Sequence, residues 1–176
     1  SLLNASIFFD FRPLLGQEKL AEELQAWLLA KTTTTPRFLH QMAANAMRNR
    51  PPLGLVRDFV VDGEGDQANT LDLKLNGTTP FVDAARVLAL ATGVAATGTS
   101  ARLRGAGPKL NIPESEVEAW LSSFFFIQML RLNGQHEEME AGKPMDNRID
   151  PDQLNDLDRR ILKEAFRQAR KVQARL

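Results

Sequence analysis

The chain has 176 residues, 22 basic and 22 acidic side chains, a formal net charge of zero and no cysteine. That length is one ordinary domain with enough chain to bury a core. The balanced charge excludes a global field drawing the protein to nucleic acid or membrane, and the missing cysteines exclude disulfides and thiolate chemistry and fit a reducing cytoplasm.

In chain order, Ile7-Phe8-Phe9-Asp10-Phe11-Arg12, closed by Pro13 and Gly16, reads as a buried strand with one acid in it. An ion pair with Arg12 is one account of Asp10. A chain opening on such an edge reads as a piece of something longer. In isolation these apolar residues are expected to be buried, folded back on the protein or packed against a second copy, so a homodimer is one expectation. No signal peptide is seen, and no apolar run approaches the roughly 20 residues of a membrane span.

After Gly16 the spacing of Leu20, Leu24, Trp27 and Leu28 predicts an amphipathic helix ended by Lys31, with the threonines at 32–35 as a loop. Pro36 opens a second helix with Phe38, Leu39, Met42, Ala43, Ala46 and Met47 on its apolar side, stopped by Pro51-Pro52. His40 falls on its polar edge and is given no role. Leu53 to Val61 fits neither strand nor helix firmly. Asp62 to Asn69 reads as a solvated acidic turn without the ligand spacing of a calcium loop.

Leu71 to Val94 carries the densest signal. Asp72 and Lys74 alternate with Leu71, Leu73 and Leu75 in strand fashion, Asn76-Gly77 turns the chain, and Thr79-Pro80 caps a helix that Gly93 ends. Asp83 and Arg86 sit three apart on it, either as an ordinary ion pair or as part of a site. Asp72, Lys74, Asp83 and Arg86 are expected to form one network. Thr97 to Ser100 then leads into a short helix with Arg102 and Arg104, followed by a linker from Gly105 to Pro113. Its hydroxyls and arginines suit a phosphate, but an N-cap accounts for them and is preferred.

From Pro113 the most apolar helix begins, with Val117, Trp120, Leu121, Phe124 and Gln128 on one face and Phe125, Met129 and Leu132 on another, so it is placed at the centre of a bundle. Its HEEME end is not a zinc motif. Gly142 to Pro151 is a loop holding Asn147 and Asp150. The last helix carries Leu157, Ile161, Ala165, Phe166, Ala169, Val172 and Leu176 on one side, and its basic residues are too mixed with acids for a nucleic-acid face. The fold class is all-α: an antiparallel helical bundle of five or six helices with one or two short strands.

Several of these segments together resemble a known family. Asp72-x-Lys74, the glycine turn and Pro80-x-Val82-Asp83-x-x-Arg86-x-x-Ala89-Leu90 look like the motif of the putative nucleotidyltransferase substrate-binding domains. IFFDFRPLLG, PPLG, TGTSARL and NRIDPDQL extend the likeness over nearly the whole chain. Such domains follow a nucleotidyltransferase domain in bacterial signal-transduction proteins, often behind cyclic-nucleotide-binding and CBS domains. More distantly the chain is similar to glutamine-synthetase adenylyltransferases and PII uridylyltransferases.

The resemblance implies a division into residues 1–16, continuing from a missing nucleotidyltransferase domain, and residues 17–176, a helical substrate-binding domain. It implies nucleotide and acceptor positioning, with an upstream nucleotidyltransferase domain, a nucleoside triphosphate and a protein acceptor as partners. Relatives of the DNA polymerase beta superfamily hold Mg2+ with three carboxylates, and Asp10-Phe11-Arg12-Pro13 resembles the strand that supplies the third, without its second arginine. Asp10 is thus the expected catalytic and metal-holding residue. Arg12, Asp72, Lys74, Asp83, Arg86, Arg102, Asn147 and Asp150 are the expected substrate-binding residues. The preceding Gly-Ser…Asp-x-Asp element is missing, so Mg2+ is expected only with the other domain and the chain alone is expected to be catalytically silent. The rival expectation is a non-catalytic regulatory or dimerisation module whose charged pairs are structural.

Overall fold

The structure is a computed structural model that describes residues 8, 10–54, 58–63, 65 and 68–176. Among them are six α-helices: α1 (Glu18–Thr33), α2 (Pro36–Ala46), α3 (Thr79–Thr92), α4 (Thr99–Lys109), α5 (Glu114–Glu140) and α6 (Asp156–Gln173). One small sheet joins β1 (Leu71–Asp72) and β2 (Arg148–Ile149), antiparallel, with Leu71 opposite Ile149 and Asp72 opposite Arg148. The class is all-α, as the apolar periodicities predict. Ile7, Phe9 and Leu55 to Arg57, parts of two segments read above, and Glu64, Asp66 and Gln67 in the acidic turn lie outside the described residues. The chain forms two compact units, Ser1–Arg48 with Val82–Val117 and Leu176, and Asn49–Phe81 with Glu118–Arg175.

In the first unit, Met42, Ala43, Val87 and Leu90 form a buried cluster, with Leu29, Phe38, Leu39 and Leu176 packed against it. The threonine run is helix as far as Thr33 rather than loop. The hydroxyls of Thr33 and Thr34 donate back to the Ala30 carbonyl at 3.2 and 3.1 Å, and Thr35 donates to Lys31 at 2.7 Å, so carbonyls left over at the helix end are satisfied. Gly93 ends α3 as expected, at φ +65°, with the Val94 amide donating to the Ala89 carbonyl at 2.8 Å. The expected linker after Gly105 is helix to Lys109, with Pro108 tolerated near its end. A Cβ on Gly105 would meet Val94 Cγ1 at 2.9 Å, so that glycine serves close packing.

At the described positions of the expected N-terminal strand, Phe8 is helical and exposed, Asp10 lies in a turn and Phe11 is half-buried. Neither a strand nor burial of Phe8 is found. Leu20, Leu24 and Trp27 on α1 are exposed as well, so the apolar stripe is real but not covered.

The second unit is built on Leu73, Phe81, Trp120, Leu121, Ile127, Leu162 and Phe166, all almost wholly buried. Phe166 meets Phe59 edge-on at 5.8 Å and Phe81 meets Phe124 at 6.1 Å. The strand predicted through Leu75 stops at Asp72, where Leu73–Thr78 becomes a π-helical run leading straight into α3. The Asp72 carboxylate causes this by accepting from the Lys74 and Leu75 amides at 2.9 and 2.7 Å, which caps the helical path ahead of the expected start. Thr79 is no cap; its hydroxyl donates to the Lys74 carbonyl at 2.8 Å. α5 is not apolar on all sides in its setting: Ile127 and Leu130 are buried, whereas Phe125, Met129 and Leu132 are exposed. On α6 the buried stripe begins at Leu162, and Leu157 and Ile161 are exposed.

Candidate functional site

Four charged side chains of the first unit converge. Asp83 and Arg86 lie one turn apart on α3, which brings Arg86 Nη1 within 2.8 Å of Asp83 Oδ1. Arg86 also grips Asp10, its Nε donating to Oδ1 at 3.3 Å and its Nη2 to Oδ2 at 2.5 Å. Arg102, on α4, adds a contact from Nη2 to Asp10 Oδ1 at 2.7 Å, while its Nε donates to the Ala96 carbonyl at 2.8 Å. The arginine side chains are only 10% and 4% exposed, against 35% for Asp10 and 21% for Asp83. This is not a solvated surface pair: two guanidiniums are desolvated and rely on these carboxylates.

The same geometry sets the titration behaviour. Burial pushes Asp10 up, but the hydrogen bonds and charges of Arg86 and Arg102 outweigh it and leave its carboxyl below the ordinary value. Burial dominates at Asp83 and, with the nearby Asp10 charge, keeps its carboxyl above the ordinary value despite Arg86. Burial also works against the Arg86 charge, but Asp10 and Asp83 more than compensate and raise its pKa.

Of the expected substrate-binding residues, Asp83, Arg86 and Arg102 are therefore brought together around Asp10. Asp72, expected in one network with Lys74, Asp83 and Arg86, accepts from the backbone amides of Lys74 and Leu75. Lys74 and Arg12 are exposed. Asn147 and Asp150 do structural work in the second unit. Asn147 Oδ1 accepts from Arg131 Nη2 at 2.7 Å, and its carbonyl accepts from the Leu73 amide at 2.9 Å. Asp150 caps the short turn Pro151–Gln153 by accepting from the Asp152 amide at 2.9 Å.

A second charged group was not anticipated. Asp58 receives Lys163 and, at 3.6 Å, Arg159, which also reaches Asp152 at 2.6 Å. Asp58, Arg159 and Asp152 border an open cleft of about 490 Å3 with Phe59 and Pro151 in its wall. The only signal in the sequence was the lone acid in a stretch with no clear period. Its two carboxylates set the cleft against a polyphosphate. In the first unit the hollow beside Arg102, lined by Phe11, Gln25 and Ala96 among others, holds only about 10 Å3.

A sequence profile described as the putative nucleotidyltransferase substrate binding domain matches residues 36–176. The chain belongs to this family. No curated protein and no solved structure matches it. The substrate-binding domain so delimited contains Asp83, Arg86 and Arg102, and Asp10 lies ahead of it. Membership implies an associated nucleotidyltransferase domain and a nucleotide substrate. No helix among the described residues is long and apolar enough to cross a membrane.

A metal ion does not fit the described residues by themselves. No three acidic or histidine side chains among them are grouped to hold a metal, and both Asp10 oxygens are engaged by guanidiniums. Carboxylates of the associated domain would have to complete any such site.

Proposed function

We propose that this chain receives the nucleotide and helps to place its acceptor for an associated nucleotidyltransferase domain, with Arg86 and Arg102 as the phosphate contacts. One observation carries this: two nearly buried guanidiniums from different helices aim at a single point that an anion occupies. Nucleotidyl transfer asks mainly for positioning and for cations set against the phosphates, and fixed guanidiniums supply both. The motifs Asp10-Phe11-Arg12-Pro13 and Asp72-x-Lys74 favour a uridylyltransferase-like or adenylyltransferase-like parent in a bacterial signalling protein with CBS and cyclic-nucleotide-binding domains, acting in the cytoplasm on a protein acceptor.

Titration calorimetry with UTP or ATP and Mg2+ tests this. The chain alone is expected to bind in the high micromolar range or weaker, roughly 4 to 6 kcal/mol of binding free energy, and Arg86→Met is expected to abolish the heat. Low-micromolar binding would reveal a complete site elsewhere. Binding untouched by Arg86→Met would remove the cluster from nucleotide recognition.

A second reading, an interaction or dimerisation module, is favoured by the exposed apolar seam of Phe125, Met129, Leu132 and Met139 on α5. A sedimentation coefficient that rises with concentration, and stops rising in Leu132→Glu, would support it. A monomer at all concentrations would end it.

A further inference from the structure

Arg86 and Arg102 are each tied down on one side and share a carboxylate on another. Arg86 Nη1 is tied to Asp83 on its own helix at 2.8 Å, and Arg102 Nε to the Ala96 carbonyl at 2.8 Å. Arg86 Nε and Nη2 and Arg102 Nη2 all point to one carboxylate, Asp10, at 3.3, 2.5 and 2.7 Å. The arginines stand on helices, but Asp10 stands on a stretch with no helix or strand from Asp10 to Gln17. Asp10 is also the most solvent-exposed of the four side chains.

We propose that Asp10 is the resident occupant of an anion site, and that a phosphoryl group of an incoming phosphate compound takes its place on Arg86 and Arg102. The proposal rests on these arginines being phosphate contacts and adds how the site is reached. A phosphoryl group presents oxygens in the spacing that a bidentate guanidinium fork accepts from a carboxylate. Among the described residues the adjoining hollow, about 10 Å3, is too small for a phosphate, so the place of Asp10 is where an anion meets these donors. Withdrawing Asp10 takes from two desolvated guanidiniums the carboxylate they share, a loss of negative charge that a multivalent anion makes good. A tethered carboxylate competes at a high effective concentration, which makes binding to the intact chain weak.

Asp10→Ala with inorganic phosphate as the probe tests the exchange, with sodium chloride at equal ionic strength as the control. The variant is expected to bind phosphate at least tenfold more tightly than the parent chain in calorimetry. It is also expected to melt at a lower temperature in chloride and to recover the loss in phosphate. Asp10→Ala/Arg86→Met should show neither effect. If Asp10→Ala does not fold in chloride, recovery on refolding in phosphate is the supporting result, and no recovery in either salt overturns the proposal. Equal phosphate affinity in parent and variant also overturns it.

UTP run beside inorganic phosphate separates the possible ligands. UTP binding to the parent chain without any gain of phosphate binding in Asp10→Ala leaves the nucleotide reading and sinks the exchange. A phosphate gain with no UTP binding to either protein supports the exchange for free phosphate and sinks the nucleotide reading.

Discussion

Arg86 lies between two carboxylates that its surroundings treat in opposite ways. Asp10, held by two guanidiniums, stays ionised below the ordinary 3.8, whereas burial holds Asp83 above it. On acidification Asp83 is therefore expected to take its proton first, above 3.8, and Asp10 only below it. The signs follow from linkage. The depressed Asp10 adds stability that is present above its unfolded pKa and lost as pH falls through its folded one. The raised Asp83 adds stability that is full below its unfolded pKa and lost as pH rises through its folded one. Carboxyl-carbon NMR titration checks the order, and Asp10 titrating first would contradict the network. Arg86→Met should cost about 3 kcal/mol in chemical denaturation because it leaves the partly buried Asp83 without its guanidinium and takes one of two from Asp10. Asp83→Asn should cost under about 1 kcal/mol, since the Asp83 charge is already disfavoured. The reverse ranking would mean that Asp83, not Arg86, anchors the cluster. Of this cluster the sequence showed the Asp83–Arg86 pair, because three-residue spacing on a helix is a local rule. The closure by Asp10 and Arg102 depends on segments far apart in the chain, which no local pattern encodes.

Helices α1, α2, α3, α5 and α6 were legible from their apolar periods, and Pro36 and Gly93 marked ends that the structure keeps. Errors came where side chains competed with the backbone rule. Asp72 spends its carboxylate on two amides and converts an alternating pattern into the π-helical lead to α3, and the threonines after Lys31 return hydrogen bonds that lengthen α1. Periodicity also cannot say which apolar face is covered: Phe125, on the helix expected at the centre of the bundle, and Leu24, on the apolar stripe of α1, are both exposed. Gly77 looked like a turn residue, but a Cβ there would meet Ile127 Cγ2 at 2.9 Å and Phe166 Cε1 at 3.5 Å. Gly77→Ala is accordingly expected to cost about 1 to 3 kcal/mol through overpacking. Gly134→Ala, in α5 with nothing within 4 Å of the added carbon, should instead gain about 0.5 to 1 kcal/mol. Urea titrations of both variants give the comparison, and equal effects would show that the close approach at Gly77 is not a constraint.

Across the whole molecule, the two tryptophans report the contrast between a sealed core and apolar surface left open. Trp120 is fully buried and Trp27 is 56% exposed. Iodide should quench one emitting population and spare the other, and Trp27→Phe should remove the quenchable one; shielding of Trp27 that grows with concentration would report association through α1. The family assignment covers residues 36–176, and its functional reading depends on Arg86 and Arg102 meeting the nucleotide. The most direct test is a nucleotide titration followed by the side-chain Nε–H resonances of the arginines in NMR. Progressive shifts are expected at Arg86 and Arg102, with weaker ones at the Ala96 to Gly98 amides and none at Arg159. Shifts at Arg159 or elsewhere with Arg86 and Arg102 unmoved would contradict it.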